Sequence, residues 1–405
     1  MTETRREDPT WGEIVWGQFR RRRLASWALV GVVGLLLQAV LVPALASNKP
    51  FLWRVGDGPL QSPWLSALYD RNFYENAIDI VFNTLLFPGL LLAAPVAVIY
   101  RRTAGAPRAV RARLRGRALR GALAVYLLTL GGILAFPQQT PKEVYPEREA
   151  ALLAAGTPVL AVYPPLPYSA RDTDLEAVRA PMSARHPLGT DNAGRDVLTR
   201  LLYGTRISLT IGVFAVALYC TLGTVIGAIA GYYGGRVDMG IQRIIEVVMC
   251  IPSTFLILSV AAFIEQRSIF HIMGIIAAVT WTGPARLVRA EVLRLRNLDF
   301  VSAARAAGFG EAALIFREIL PNALAPVLVA ATFGVAGAIL TESTMSFLGL
   351  GDITVPSWGQ ILNVGRTTGL WPLILAPGFA IFLTVGLLNL VGEGVRDALD
   401  PKLRR

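Results

Sequence analysis

This sequence of 405 residues is poor in the side chains that bind metals and form covalent cross-links. It contains two cysteines, Cys220 and Cys250, both within apolar runs, and two histidines, His186 and His271. Two cysteines are too few for a disulfide framework or for paired CxxC zinc ligands. The two histidines form no HExxH motif and no cluster, and neither has a persuasive nucleophile partner in the sequence. We therefore predict no metal site and no catalytic residues.

Lysine is also scarce. The three lysines are Lys49, Lys142 and Lys402, and none follows a glycine as the phosphate-binding motif GxxxxGK[ST] requires. The chain is therefore not an ATPase, and we predict a protein that is not an enzyme and carries no cofactor of its own.

Charge of either sign is limited. Charged residues make up 17% of the chain and hydrophobic residues 54%, whereas water-soluble proteins carry roughly a quarter charged residues. The mean hydropathy is +0.51, which predicts a membrane protein. The net charge of +11 does not predict nucleic-acid binding, because the basic residues occur in short segments between apolar runs.

Apolar runs long enough to cross a hydrocarbon core of about 30 Å as helices are present throughout the chain. The eight predicted spans are 24–46, 79–100, 118–136, 207–230, 244–264, 272–293, 325–350 and 372–395. Eight spans place both termini on one side of the membrane. The segments on that side are 1–23, 101–120, 231–243, 286–317 and 396–405. They hold 26 of the 39 Lys and Arg residues, so we predict an all-α polytopic membrane protein with cytoplasmic termini.

The longest segment outside the spans is 137–206, on the predicted outer face. Prolines interrupt its first part, which favours an extended or irregular cover and not a domain with its own core. At its end, apolar residues at helical spacing predict a short amphipathic surface helix over Asp196–Arg206.

A cytoplasmic loop, Asn297–Pro326, contains two predicted helices. The first carries one face of small or short side chains, which are Asp299, Ser302, Ala303 and Ala306, and Gly308 ends it in a left-handed conformation. The second begins near Glu311 and stops at Pro321, and its apolar side consists of Ile315, Phe316, Ile319 and Leu320. A helix with small side chains suits docking in a cleft of another protein. An ordinary helical hairpin between two spans is the alternative.

This loop resembles the EAA-type cytoplasmic loop of permease subunits of binding-protein-dependent ABC importers. The residues that carry the resemblance are Ser302-Ala303-Ala304, Gly308 and Leu320-Pro321-Asn322. Further similarities to the C-type permeases of the dipeptide, oligopeptide and nickel branch follow in order at His186–Asp196, Tyr203–Leu209, Gly231–Asp238, Ile251–Ser253, Glu342–Gly351 and Asn389–Pro401. The likeness covers about residues 160–405 and Phe19–Gly31.

The resemblance implies a type I ABC importer permease core over 207–395, with a cytoplasmic coupling loop at 297–322. The remaining segments are a cytoplasmic N-terminus (1–23), a first span (24–46), an inserted helix pair (79–136), an outer segment (137–206) and a cytoplasmic tail (396–405). It implies a homologous second permease, one or two cytoplasmic ATPases that bind ATP and Mg, and an extracytoplasmic substrate-binding protein. The location is a bacterial or archaeal plasma (inner) membrane, and di- or oligopeptides are the expected cargo.

The coupling residues that the resemblance implies are Asp299, Ser302, Ala303, Ala304, Arg305, Gly308, Leu320, Pro321 and Asn322. Ser302 departs from the family, which usually has an acidic residue there, and Asp299 one turn earlier is a possible substitute. A second departure is the inserted pair 79–136 with its arginine-rich loop. It is interpreted either as lipid-facing helices anchored on anionic lipid or as a contact with a partner subunit.

Two further sites are candidates. The outer-face residues Gly189, Thr190, Asp191, Gly194, Arg195 and Asp196 predict a rigid, self-paired loop that gates the pathway or meets the binding protein, with a purely structural turn as the alternative. Glu342 lies within span seven, where an ionised carboxylate is costly, and is predicted to line the translocation path. Hydrogen bonding to Ser343, Thr344 or a neighbouring helix is the alternative. An ion-coupled secondary transporter that uses Glu342 is the second candidate function.

Overall fold

Helices account for most of the structure, a computed structural model that describes residues 11–139, 143–265 and 267–400. The helices are α1 (Trp11–Arg21), α2 (Arg23–Leu45), α3 (Pro63–Ala67), α4 (Ala77–Thr84), α5 (Leu90–Arg102), α6 (Arg108–Ala135), α7 (Tyr145–Ala154), α8 (Val197–Tyr233), α9 (Gly235–Cys250), α10 (Ser253–Ala262), α11 (Ile269–Thr280), α12 (Thr282–Leu295), α13 (Asp299–Ala306), α14 (Glu311–Ala313), α15 (Leu320–Ala323), α16 (Ala325–Phe347), α17 (Trp358–Thr368) and α18 (Pro372–Leu399). Two strands, β1 (Leu52–Val55) and β2 (Val159–Val162), and two π-helical turns, Leu85–Gly89 and Leu314–Ile319, complete the elements.

Six helical segments of the described chain are long and apolar enough to cross a membrane. They are α2, the continuous segment Ala77–Arg102, α6, α8, α16 and α18. The helices α9 and α10 form a seventh if a pair bent by 80° counts as one span. The predicted span 272–293 falls on the short apolar helix α11 and on α12. The count of eight spans, and the orientation of the termini, therefore remain predictions.

The chain divides into two compact units, residues 1–34 with 208–405, and residues 35–207. In the first unit, α16 packs against α17 and α18. The start of the chain joins this unit through a small apolar cluster of Phe19, Ala25 and Ala398. Arg22 and Asp397 form an ion pair of 3.0 Å beside that cluster, so α1 and the start of α2 are held against the end of α18.

The second unit contains a two-stranded antiparallel sheet. Strand β1 pairs with β2, with Leu52 opposite Val162 and Val55 opposite Val159. The unit also has a buried apolar cluster, consisting of Val42, Ala46, Tyr74, Ile80, Ala170 and Tyr203. The expectation of an irregular cover without a core was therefore incomplete, because the outer segment shares a core with residues 42–80. The chain is also not entirely α-helical.

A buried arginine organises this second unit. Arg206, on α8, is fully buried. Its Nε donates a hydrogen bond of 2.7 Å to the carbonyl oxygen of Ala39, and its Nη1 lies 3.0 Å from Oδ1 of Asp79. The prediction of a separate amphipathic helix on the surface over Asp196–Arg206 is wrong. Its residues from Val197 onward are the first turns of α8, and polar side chains there are buried because they bond to other elements of the unit.

Candidate functional site

The first helix of the predicted coupling loop is α13. Gly308 follows it with a φ of +85°, which is the left-handed conformation that favours glycine. The N–H of Phe309 donates to the carbonyl of Ala304 at 3.2 Å, and the N–H of Gly308 donates to the carbonyl of Arg305 at 3.0 Å. This pair of bonds is a Schellman motif. The prediction that Gly308 ends this helix is confirmed.

The surface of α13 is almost wholly exposed. Val301 is the one buried residue of the helix, and the helix packs against the π-helical turn Leu314–Ile319. The predicted small face is exposed along its length, at Asp299, Ser302, Ala303 and Ala306. Arg305 is exposed as well, and Ala304 is half-buried. The helix thus offers a contact surface lined by short side chains.

The second helix of the loop begins at Glu311, as predicted, but does not stop at Pro321. Helical structure continues from α14 through the π-helical turn into α15, and Pro321 is the second residue of α15. Pro321 and Asn322 are exposed and Leu320 is half-buried, and Asn322 Nδ2 donates to the carbonyl of Glu318 at 2.7 Å.

The apolar side predicted for this second helix is only partly correct. Ile315 and Ile319 are buried, together with Leu314. Phe316 is 51% exposed. A π-helical turn has a wider period than an α-helix, so side chains placed on one face by the α-helical spacing separate onto two. Phe316 is therefore a surface aromatic residue.

Three contacts that the sequence analysis missed hold this loop to the neighbouring helices. The hydroxyl of Tyr233, the last residue of α8, donates to Glu311 Oε2 at 3.0 Å. Arg296 Nη1, just after α12, donates to the carbonyls of Gly231 and Tyr232 at 3.0 Å each. These contacts connect the start of the loop and its second helix to the end of α8. The sequence alone gave no sign of them.

A second connection joins α9 to α12. Arg289 and Asp238 form a two-point ion pair, and its Nη2 to Oδ2 distance is 2.6 Å. Both side chains are half-buried. Such a bidentate pair fixes orientation as well as distance.

The helices α8 and α12 approach closely through glycines. Gly223, Gly227 and Gly231 recur every fourth residue on α8, and a Cβ atom on each would overlap the backbone of α12. At Gly231, the atom would lie 2.8 Å from the carbonyl oxygen of Arg289. Small residues at this spacing let membrane helices pack with their backbones in contact. The spacing was visible in the sequence and is the signal that could have located this crossing.

On the outer side, two glycines shape the predicted self-paired loop. Gly189 and Gly194 both have a φ of +73°. A Cβ on Gly194 would collide with the backbone carbonyl of Asp174, and one on Gly189 would lie 2.6 Å from the carbonyl oxygen of Ala180. Any other residue would therefore strain the loop both in conformation and in space.

The polar residues of this loop bond to one another and to nearby backbone. Asp191 accepts a hydrogen bond of 2.7 Å from Arg195 Nε and a bond of 2.8 Å from the N–H of Ala193. Thr190 Oγ1 donates to the carbonyl of Ala177 and accepts from the N–H of Ala180 at 2.8 Å. The predicted pairing of opposite charges is confirmed.

Asp196 links this loop to the start of α8. Its Oδ1 accepts from the N–H of Thr199 at 2.7 Å, and its Oδ2 lies 3.0 Å from Nδ1 of His186. The His186 ring also stacks on Tyr168 at 4.8 Å between centroids. His186 therefore packs within this unit and bonds to Asp196.

Glu342, the predicted path residue, is enclosed within its own unit. It is 1% exposed, and Oε1 accepts a hydrogen bond of 2.7 Å from Ser346 Oγ one turn later on α16. Ser343 Oγ lies 3.5 Å from Oε2, whereas Thr344 is exposed and donates to the carbonyl of Leu340. These contacts match the packing alternative for Glu342 more closely than an open position on a path.

Within residues 11–139, 143–265 and 267–400, no group of three or more His, Cys, Asp and Glu side chains is placed to hold a metal ion.

Comparisons with known proteins agree with these features. Residues 223–405 match the family described as "Binding-protein-dependent transport system inner membrane component". The dipeptide transport system permease protein DppC of Alkalihalophilus pseudofirmus is 43% identical over 226 residues, which is 55% of this chain and 74% of that protein. This chain belongs to that permease family. The oligopeptide transport system permease protein OppC of Haemophilus influenzae, 41% identical over 59% of this chain and 78% of its own length, is a further similar permease.

Other permeases extend the comparison. The glutathione transport system permease protein GsiD of Pectobacterium atrosepticum is 38% identical over 59% of this chain and 80% of that protein. A solved inward-facing conformation of the MetNI methionine ABC transporter is similar over 50% of this chain and 97% of that chain, with 18% identity and a TM-score of 0.39. Family membership and the apolar helices make this chain a multi-pass permease of the plasma (inner) membrane. The resemblance stated from the sequence is confirmed.

Proposed function

We propose that this chain is one of two homologous transmembrane subunits of an ATP-driven importer for di- or oligopeptides. The observation that carries the proposal is α13, an exposed short helix with a small-residue face, capped by Gly308. The sequence has no phosphate-binding loop, so the energy comes from one or two kinds of cytoplasmic ATPase that bind ATP and Mg²⁺. An extracytoplasmic binding protein delivers the cargo.

The surface of α13 supports docking onto a partner. An eight-residue helix with one buried side chain is marginal on its own. Its small face is flanked by Phe300 and Phe309, which are 38% and 42% exposed. Exposed apolar side chains beside a shallow face are typical of a protein interface. We assign this interface to the ATPase. Asp299 takes the role of the acidic residue that the family usually has at the position of Ser302.

The contacts of the loop support transmission of movement. Tyr233 bonds to Glu311, and Arg296 bonds to the last turn of α8. The glycine-mediated crossing then ties α8 to α12. A displacement of α13 by the ATPases is therefore passed to α8 and α12 and is not absorbed by a flexible linker.

The outer loop supports a different role. Its charged side chains are paired with each other, and Gly189 and Gly194 let its backbone approach the backbone of Ala180 and Asp174 closely. We assign Gly189–Asp196 to the gate or to the contact with the binding protein, because a preformed surface loses little conformational entropy on association. Glu342 acts on the path indirectly in this proposal, by holding the shape of α16 through Ser346.

The cargo is assigned from the relatives. The permeases reported above are named for dipeptides, oligopeptides and glutathione, which share a peptide backbone with a free carboxylate. A peptide is therefore the proposed substrate class.

The test is co-purification of this chain with its candidate partner permease and ATPases, followed by measurement of ATPase activity and peptide uptake in vesicles. We expect Gly308→Val to leave the chain inserted but to abolish coupled transport, since no atom would touch a Cβ there and only the left-handed conformation is lost. Gly310→Val is the matched control. Gly310 also has open space but lies in the extended region, with a φ of −68°.

Two results would contradict the proposal. One is normal transport by Gly308→Val. The other is a wild-type chain that transports peptide without any ATPase, which would support an ion-coupled carrier.

A further inference from the structure

The unit of residues 35–207 contains a polar cavity of about 210 Å³. It is lined by residues of four stretches, 48–49, 70–75, 143–144 and 169–172. None of them belongs to residues 223–405, which match the permease family. The coupling loop and the outer loop do not use this cavity.

The most unusual group in the wall is Lys49. It is 8% exposed, and its Nζ donates a hydrogen bond of 2.6 Å to the backbone carbonyl of Glu143. The same nitrogen lies 4.8 Å from the ring centroid of Tyr145 and 5.6 Å from that of Phe73. An ammonium has three donors. Two are left after the bond to Glu143.

Lys49 also lacks a direct counter-ion. Among the residues that the structure describes, no carboxylate lies within 4.0 Å of Nζ. Desolvation lowers the pKa of Lys49, although Glu143, Asp70 and Asp172 attract the charge at longer range. A buried cation without a paired anion is costly unless something supplies the charge. An anion bound in the adjacent cavity would supply this opposite charge.

A second unsatisfied group lies next to Lys49. Asn48 is 6% exposed and donates through Nδ2 to Asp172 Oδ1 at 2.9 Å. Its Oδ1 is buried and has no hydrogen-bond partner among the described atoms. A buried acceptor left unpaired costs about 1–3 kcal/mol. An N–H group of a ligand in the same cavity would satisfy the Oδ1 of Asn48.

Negative charge surrounds these two groups. Asp70 is 3% exposed, and Asp172 is held between Asn48 and the N–H of Ser169. Burial raises the pKa of Asp172. An ion pair between Arg171 and Glu75 lines the wall where side chains reach solvent. The cavity therefore combines one unpaired cation with a carboxylate-rich surround.

We propose that this cavity binds a small zwitterion, an amino acid or the end of a short peptide. Its carboxylate pairs with the Lys49 ammonium, and an N–H group donates to Asn48 Oδ1. The cavity volume of about 210 Å³ lies below the range of about 300–1,000 Å³ for pockets of drug-sized molecules, which favours a smaller ligand such as this. The assignment depends on residues 48–172 alone and holds whether or not ATP drives import through the rest of the chain.

The test measures binding to the full chain in lipid nanodiscs by calorimetry. The probes are L-alanine, Ala-Ala and Ala-Ala-Ala, and comparison of the three separates a free amino acid from a peptide as the source of the carboxylate. Ala-Ala-Ala amide is the matched ligand control, because it lacks only the negative charge. We expect it to bind at least tenfold more weakly than the free acid.

Lys49→Met tests the protein side, since methionine keeps much of the length without the charge. We expect at least a tenfold loss of affinity for the free acid and little change for the amide. Arg54→Met removes a cation from an exposed position in the same unit and should leave binding unchanged. Thermal unfolding of each variant reports whether the unit has folded.

Binding must also depend on pH. The ligand carboxylate requires protonated Lys49, whose pKa is lowered in the empty cavity. Affinity should therefore fall as the pH rises through that lowered pKa, and Lys49→Met should remove the dependence. The proposal is overturned if none of the three probes binds the wild-type chain at millimolar concentration. Equal binding of Ala-Ala-Ala and its amide also overturns it, and this comparison needs no variant to fold.

Discussion

The predicted coupling loop, 297–322, and the predicted outer-face loop, Gly189–Asp196, differ in the exposure of their polar and small residues. In α13 the small side chains are exposed and one residue is buried. In the outer loop, Thr190, Asp191 and Asp196 are buried at 2% exposure or less and bond within their own unit. Both regions contain a glycine in the left-handed conformation, yet only one of them is enclosed.

The two loops illustrate two ways to form a surface for a partner, one enclosed by its own contacts and one left exposed. The polar groups of the outer loop find their hydrogen-bond partners within the same unit, so the shape of the loop is set before anything binds. The coupling loop leaves its face uncovered and relies on a few anchors, such as Tyr233 with Glu311. Changes in the outer loop should therefore affect stability first, whereas changes in α13 should affect transport first.

The largest expected effect is at the buried arginine of the outer unit. Arg206→Met leaves the carboxylate of Asp79 without its ion-pair partner and should destabilise the chain by about 3–5 kcal/mol. Arg243→Met breaks the exposed pair with Glu246, whose side chains are 76% and 57% exposed, and should cost about 0–1 kcal/mol. Denaturant unfolding in detergent measures both. Equal losses of unfolding free energy in the two variants would contradict the distinction between the buried and the exposed ion pair.

Two of the left-handed glycines, Gly194 and Gly308, give the next comparison. Gly194→Ala places a methyl group against the backbone of Asp174, and adds this overlap to about 1–2 kcal/mol of conformational strain. Gly308→Ala meets nothing within 4 Å and should cost only that strain. Thermal unfolding should rank Gly194→Ala as the more damaging. The reverse order would show that the outer loop can move to make room.

A smaller effect is expected from the anchor of the coupling loop. Tyr233→Phe removes the hydroxyl that donates to Glu311 and should lower ATP-dependent uptake by about threefold to tenfold, because coupling through contacts of this kind is modest. Tyr232→Phe, at the neighbouring position, is the control and should transport normally. A normal rate for Tyr233→Phe would remove this contact from the proposed transmission route.

The smallest effect is expected at Ser302. Ser302→Glu supplies the acidic residue usual at that position in the family and should strengthen retention of the ATPase by about twofold to threefold, as an exposed ion pair would. Ser302→Gln is the uncharged control of the same length. If both variants behave alike in co-purification, charge at this position has no part in docking.

Several features of the fold were readable from local patterns. Six of the eight apolar runs coincide with long helices, because backbone groups in lipid must be satisfied within the segment itself. Gly308 was identified from its place after a small-residue helix, because left-handed backbone is accessible to glycine at little cost. Both properties depend on neighbouring residues in the chain, which a single sequence displays.

Other features depend on distant partners. The pairing of β1 with β2 joins residues about a hundred positions apart. No periodicity within 137–206 predicts this pairing. Phe316 and Pro321 were misplaced because a π-helical turn, unlike an α-helix, has no clear sequence signature. Arg289, Arg296 and Tyr233 became visible as anchors only when their partners were in place.

The sequence by itself determined that the chain crosses a membrane, belongs with importer permeases and contains a short helix with a small-residue face that Gly308 caps. These conclusions follow from hydropathy, glycine conformation and ordered motifs. The tertiary structure decided which charges are buried and paired, and among the residues it describes no carboxylate forms an ion pair with Lys49 at the cavity. The physical reason is that the cost of a charge depends on how far water and opposite charge lie from it, and those distances are set only when remote segments pack together.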